Sequence, residues 1–460
     1  MMMTADERGP PALSPVPAPI LATVARPARK LGPIAFLRTA TTNTLGICDE
    51  EVFRELVVVR RYGPFPVAFV SDPEGVRRIL VERPDDYPRL ATIRRLYATD
   101  VGTGTLASDG QTWRDRRRIA AAVVDRRAFL PDLPRLLQMA EAEAETWGEQ
   151  HGAAPFNLER AVADLWFTVL NEEVTGGDPR GRAILAWLAK VPRKPRFFDV
   201  LPMPEGLRPL LSKARLAPAR AALREELTAM IRERESPGWA GPRDLLWRVA
   251  QATDRTTGRP LPLEDRRDEA SSILAAGEAT IRGLTWFWYL LAQHPGVRTR
   301  VEAELDGLEQ VTPEALERLP YLKRVVDEAL RLYPPIPTMV RQGRQADVIG
   351  GKRIPKGAYV FVIPWVIHRH ERLWDDPERF DPDRFLPERR ASRPRLAYIP
   401  FSAGARVCSG ASLATAMMLA VIAALGRRYR IGLAPGRVVD LFGAITLHPR
   451  GGLWATLERR

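Results

Sequence analysis

The chain has 460 residues, 45% of them hydrophobic, enough for a large buried core. Its formal charge is +13, yet acids are interleaved with the bases, as in Arg114-Asp115-Arg116-Arg117-Arg118, which argues against a nucleic-acid binder and for an acidic protein partner. Two cysteines, Cys48 and Cys408, exclude a disulfide framework and any multi-cysteine zinc site. No window approaches the roughly 20 apolar residues that span a bilayer, so no membrane anchor and a cytoplasmic location are expected.

Residues 1–33 are rich in Pro and Ala without sustained apolar periodicity, and disorder is expected there. Residues 34–460 show no linker and predict one domain. A strand is predicted at Val67–Ser71, ending at Asp72-Pro73. Gly102-Thr103-Gly104-Thr105-Leu106-Ala107 fits a dinucleotide-loop pattern, but no strand precedes it, so it reads as the loop before the Trp113 helix. Apolar spacing predicts helices over Leu133–Gly148, Leu158–Val174 and Leu216–Arg234. The longest, Leu263–His294, is bounded by Pro262 and Pro295 and would run about 45 Å. Its stretch Leu284–Leu291 is apolar nearly all round and should be buried. A second strand is predicted at Tyr359–Ile363. His368-Arg369-His370 suggests a metal only superficially, since no third ligand lies nearby. The fold class is mainly α with a small β portion.

The informative segment is Phe401-Ser402-Ala403-Gly404-Ala405-Arg406-Val407-Cys408-Ser409-Gly410, followed by an amphipathic helix over Ala411–Leu425. Cys408 thus sits at a helix N-terminus, where free N–H groups and the helix dipole favour an anion and lower a thiol pKa. Gly404 and Gly410 let the backbone turn tightly and approach a flat ligand, and Arg406 can point at a carboxylate. Cys48 has no motif around it and is expected to be inert.

This segment resembles the signature Phe-x-x-Gly-x-Arg-x-Cys-x-Gly of the cytochrome P-450 family, matched without a departure. The resemblance implies haem b between the long central helix and the cysteine-ligand helix, with the Cys408 thiolate as axial iron ligand and Phe401 and Arg406 beside the cofactor. Trp113-Arg114-Asp115-Arg116-Arg117 matches the family's Trp-x-x-x-Arg, so Trp113 and Arg117 are expected to grip a haem propionate. Arg341 falls where the family places another propionate-binding arginine. Glu328-Ala329-Leu330-Arg331, with Pro377-Glu378-Arg379-Phe380, implies a buried structural cluster of Glu328, Arg331 and Arg379.

The family's oxygen site carries Ala/Gly-Gly-x-Asp/Glu-Thr-Thr; here the stretch is Ala275-Ala276-Gly277-Glu278-Ala279-Thr280. A gapless alignment puts Glu278 at the acid position and Ala279 where the oxygen-handling threonine belongs. Matching on Ala276-Gly277 instead makes Thr280 that threonine but leaves Ala279 at the acid position, so the gapless alignment is preferred. Glu278 also has a plain alternative, a helix salt bridge to Arg282. Ala275, Ala279 and Thr338-Met339-Val340 are expected to border an apolar substrate pocket.

The resemblance implies monooxygenation of an apolar small molecule by a monomer, with electrons from a separate ferredoxin or flavodoxin. Basic residues of the Trp113 helix, with Arg427, Arg428 and Arg430, are candidates for docking that partner. Because Ala279 departs from the pattern, a haem-thiolate isomerase, dehydratase or peroxide-driven enzyme is the alternative, and a non-enzymatic haem sensor a third.

Overall fold

The structure, a computed structural model, describes residues 21–124, 129–152, 154–190, 217–253 and 257–460. The helices that build the site are α1 (Ala91–Val101), α2 (Gly110–Val124), α3 (Leu133–His151), α4 (Leu158–Thr175), α5 (Leu263–Ala276), α6 (Glu278–Gln293), α7 (Pro320–Leu332) and α8 (Ala411–Arg428). Those foreseen from apolar periodicity appear to within a turn, because that signal is local to each segment.

One expected element differs. The single helix predicted over Leu263–His294 is two helices, α5 and α6, meeting at Gly277. There the N–H groups of Gly277 and Thr280 bond the carbonyls of Leu274 and Gly277, three residues back rather than four. A Cβ on Gly277 would lie 2.5 Å from Leu170 Cδ2, so glycine is what lets α4 press against the break. Beyond it, Gly283 through Leu291 are all buried, as the all-round apolar pattern requires.

α8 packs against α3 and α6. A Cβ on Gly283 of α6 would meet Met418 Sδ of α8 at 2.8 Å, so these two helices approach closely there. Among the described residues α8 alone is long and apolar enough to cross a membrane, but Met417 through Gly426 are all buried, which marks it as a core helix.

The main sheet has the order β1 (Val57–Tyr62), β2 (Phe65–Val70), β4 (Tyr359–Val362), β3 (Met339–Gln342). β1 and β2 form an antiparallel hairpin, β2 pairs parallel with β4, and β3 pairs antiparallel with β4. Most of the strands among the described residues come from the C-terminal part of the chain. A lone hairpin is marginal in water, and β4, with Val360 and Val362 fully buried, completes it.

Residues 1–20 of the segment expected to be disordered lie outside the described residues. Residues 21–32 run along the body, which corrects the expectation for that part. Ala22 receives a hydrogen bond from Tyr333 Oη (2.8 Å) and donates one to Tyr289 Oη (2.7 Å), and Arg26 pairs with Glu378 and stacks on Phe53 at 3.8 Å.

Candidate active site

The cysteine loop is closed by its own backbone. Cys408 N–H donates to Phe401 O (2.9 Å), Val407 N–H to Gly404 O (3.1 Å) and Ser402 N–H to Ile399 O (3.1 Å). Gly404 has φ 68°, and a Cβ there would sit 2.0 Å from Leu80 O, so only glycine fits. Gly410 differs: a Cβ there would meet nothing within 4 Å, and the fold by itself does not demand glycine. The loop is anchored by His368, which is fully buried. Its Nε2 accepts Ile399 N–H (2.9 Å), leaving Nδ1 to donate to Arg331 O (3.0 Å). Burial pushes its pKa down to about 3, so this ring is a neutral structural strut. No group of three potential metal-binding side chains occurs among the described residues.

Cys408 is solvent-accessible, as is Val407 beside it, while Cys48 is buried with its thiol pKa pushed up by burial. Burial also raises the Cys408 pKa, outweighing the Gly410 N–H and the Arg117 charge that lower it. This corrects the expectation of a lowered pKa: at this helix start, desolvation wins over the N–H groups.

The break between α5 and α6 also leaves side chains accessible. Ala276 is exposed and Ala279 half-buried, on a helix pair otherwise largely buried, with Ala275 and Thr280 closed beside them. Thr285 Oγ1 caps the carbonyl of Ile281 (2.7 Å) in the usual helical way, whereas the Thr280 hydroxyl bonds no described residue. Glu278 does not stand free. Its Oε1 accepts from Arg282 Nη2 (2.9 Å) and Thr446 Oγ1 (3.0 Å), and Arg282 also pairs with Glu159 of α4.

Cations gather at one edge. Arg341, almost fully buried in β3, forms an isolated backbone bridge with Arg89. Burial pushes the Arg341 pKa down to about 9 and that of Arg406 to about 10, and the charge of Arg89 repels both. Burial also lowers the pKa of Arg117, which lies close enough to Cys408 to feel its charge. Arg406 stacks on the Trp113 ring at 4.2 Å. Trp113 Nε1, Arg406 Nη1 and Thr338 Oγ1 are buried without partners. Buried cations and unfilled donors call for an anionic group, and the two carboxylates of haem fit that demand. Met339 and Val340 are half-buried on β3, and Phe401 packs on the main core.

The structural cluster differs in one member. Glu328 and Arg331 are fully buried and doubly hydrogen-bonded, at 2.6 and 2.8 Å. Arg379 contributes only its carbonyl, to Arg331 Nη2 (3.0 Å), and is exposed. The third arginine is Arg384, buried, with Nε 3.5 Å from Glu328 Oε1 and its Nη groups on the carbonyls of Asp375 and Asp376. Pro382-Asp383-Arg384-Phe385 repeats the pattern of Pro377-Glu378-Arg379-Phe380 and was the available signal.

The loop at Gly102–Ala107 is a loop, and it is clasped to α5. Thr103 N–H and Oγ1 donate to Asp268 (2.7 and 3.1 Å), and Thr105 N–H and Oγ1 to Glu269 (2.8 and 2.7 Å). Sequence reasoning missed these acids, and also Arg89 and Asp109, which no local pattern distinguishes. The candidate docking cations are already neutralised: Arg427 pairs with Glu141, Arg428 with Glu145 and Arg430 with Glu302. On α2, Arg114 pairs with Asp85 and Arg118 with Asp115.

The cytochrome P450 family model matches residues 30–454. Cyclooctatin synthase of Streptomyces melanosporofaciens is 28% identical over 389 residues, covering 83% of this chain and 84% of its own. The putative cytochrome P450 132 of Mycobacterium tuberculosis is 36% identical over 203 residues, 43% of this chain and 44% of its own. Among solved structures, a cytochrome P450 (CYP102L1) superposes with TM-score 0.77 at 22% identity, over 96% of this chain and all of that one. The retinoic acid-bound cyanobacterial CYP120A1 does so with TM-score 0.73 at 26% identity, over 88% and 92%. The chain belongs to the cytochrome P450 family, enzymes that hold haem through a cysteine thiolate and act as monooxygenases.

Proposed function

We propose that this chain is a monooxygenase whose catalytic domain spans residues 34–460, with Cys408 as the axial haem ligand and an apolar small molecule as substrate. The observation that carries this is an accessible Cys408 thiol on a closed loop that also carries Arg406, whose Nη1 is buried without a partner, as is Trp113 Nε1 beside it. When bound, haem supplies the iron at which oxygen is activated, and a thiolate ligand favours O–O cleavage. Trp113, Arg117, Arg341 and Arg406 hold the carboxylates of the cofactor, with Phe401 alongside. Ala275, Ala279, Thr338, Met339 and Val340 line the substrate side, small or apolar enough to exclude water. The retinoic acid in the cyanobacterial relative supports an apolar substrate class.

Within this proposal Thr280 handles protons. Its unengaged hydroxyl lies next to Ala279, which has no oxygen to offer, whereas Glu278 is committed to Arg282 and Thr446. Electrons come from a separate ferredoxin or flavodoxin, and the enzyme is a cytoplasmic monomer. Ala279 also favours a second reading, a haem-thiolate isomerase or peroxide-driven enzyme that needs no electron donor.

The test is the absorbance spectrum of the reduced, carbon monoxide-bound protein. A strongly red-shifted Soret band lost in Cys408→Ala but kept in Cys48→Ala supports the reading; a band typical of histidine ligation overturns it. Turnover of apolar substrates only when a ferredoxin system is present separates monooxygenase from isomerase.

A further inference from the structure

Asp109 occupies a position that no part of the proposed chemistry uses. It lies at the start of α2 and engages both carboxylate oxygens: Oδ1 accepts from Arg406 Nη2 and from Gly110 N–H (3.2 Å), and Oδ2 accepts from Arg89 N–H (3.0 Å). Its side chain and that of Arg406 are only 10% and 7% exposed, so the pair is shielded from screening. Arg89 in turn donates through Nη1 to the carbonyls of Thr105 (2.7 Å) and Leu106 (2.8 Å), which fixes its backbone beside Asp109. One carboxylate therefore ties together the segment at Arg89, the start of α2 and the cysteine loop.

The arrangement divides the Arg406 guanidinium. Nη2 is spent on Asp109, Nη1 is buried without a partner, and the plane is held against the Trp113 ring. A planar fork held at one edge presents the other in a fixed direction. Asp109 also lies close enough to Arg89, Arg341 and Arg406, which repel one another, to act as a counter-charge to them before any cofactor carboxylate arrives.

We propose that Asp109 is a positioning residue for the haem: it locks Arg406 with one guanidinium edge free for the cofactor, and its fixed negative charge holds the reduction potential of the iron down. This rests on the proposal that Cys408, two residues from Arg406, ligates that iron. A negative charge nearby disfavours the added electron of the reduced state, and buried charges act over such distances with little screening.

The experiment uses the full chain loaded with haem, with Asp109→Asn, Asp109→Glu and Thr103→Val compared with the unsubstituted protein. Three quantities are measured: the carbon monoxide spectrum, the ferric–ferrous midpoint potential, and the rate of haem transfer to an excess of apomyoglobin. Asp109→Asn is expected to keep the thiolate band, lose haem several-fold faster and shift the ferric–ferrous equilibrium about three- to tenfold towards the reduced state, tenfold being about 59 mV for one electron. Thr103→Val loosens the same loop from Asp268 without changing charge, and its potential should not move. An unmoved or lowered potential in Asp109→Asn, or an equal rise in Thr103→Val, overturns the proposal. Should Asp109→Asn take up no haem, Asp109→Glu decides: charge kept and geometry altered, it should lose haem faster at an unchanged potential, and the reverse pattern overturns the proposal. Absence of the thiolate band from the unsubstituted protein would instead remove the Cys408 assignment on which this inference stands.

Discussion

Replacing Arg331, Arg384 and Arg379 by alanine, one at a time, separates a buried cluster from a motif match. Arg331 gives two hydrogen bonds to Glu328 and three to the carbonyls of His368, Pro377 and Arg379, at 2.7, 2.7 and 3.0 Å. Truncating it leaves Glu328, itself fully buried, with the N–H of Asp381 (2.8 Å) and the more distant Arg384, and strands three acceptors. Breaking a buried pair in this way costs about 3–5 kcal/mol. At roughly 2.1 cal/mol/K of unfolding entropy per residue, this 460-residue chain gains about 1 kcal/mol/K on melting, so Tm should fall by about 3–5 °C. Arg384→Ala removes two carbonyl bonds and one longer charge contact, about 2–3 kcal/mol or 2–3 °C. Arg379 offers the cluster only its backbone, which alanine also has, so Arg379→Ala should shift Tm by less than about 1 °C. Thermal unfolding followed by circular dichroism at matched haem loading measures all three. If Arg379→Ala is as costly as Arg384→Ala, or Arg331→Ala is neutral, the assignment of the cluster is wrong.

Thr280→Ala should raise hydrogen peroxide released per electron consumed severalfold, and Thr280→Ser should restore coupling; equal coupling in all three proteins removes the proton-handling role. The Glu269 pKa, pushed up to about 7 by burial against an ordinary 4.5, means that the folded chain binds more protons than the unfolded one between those values. Stability from this group is therefore greatest below pH 4.5 and falls as pH rises towards 7. Glu269→Gln should flatten the fall by up to about 3 kcal/mol in denaturant titrations at pH 5 and 8; Glu173, also raised to about 7, keeps its own slope, and an unaltered profile rejects the assignment. Gly404→Ala forces a Cβ to 2.0 Å from Leu80 O at φ 68°, so purified protein should carry markedly less haem. Normal loading would show that the loop can give way.

What was legible in the sequence is what is local in the chain. The spacing around Cys408 is carried by ten consecutive residues whose own hydrogen bonds close the loop, and the helices announce themselves through apolar spacing within each segment. The break at Gly277 left no such mark, and the packing that requires glycine there is contact with Leu170 on α4, a neighbour that only the folded chain supplies. Arg384 was visible in principle, since two successive Pro-acid-Arg-Phe runs compete for one role; the 3₁₀ turn at Pro382–Phe385 sends the second arginine inward. Arg89 and Asp109 had no local signal, because their significance comes from a bridge to Arg341 and an ion pair to Arg406 far along the chain.

The same distinction governs charge. A count of cations reports a basic protein, but Arg427, Arg428 and Arg430 are each matched to a carboxylate over a hundred residues away in sequence. Paired, partly exposed cations of this kind steer an acidic partner weakly. The arginines around Asp109, proposed to hold the haem carboxylates, differ: they are buried and repel one another, and Arg406 Nη1 has no partner. Positive charge therefore bears on function here where buried cations crowd around Asp109 rather than where the sequence is most basic. On the proposal that Asp109 orients Arg406 towards the haem, reversing either charge should act on the cofactor before it acts on any partner.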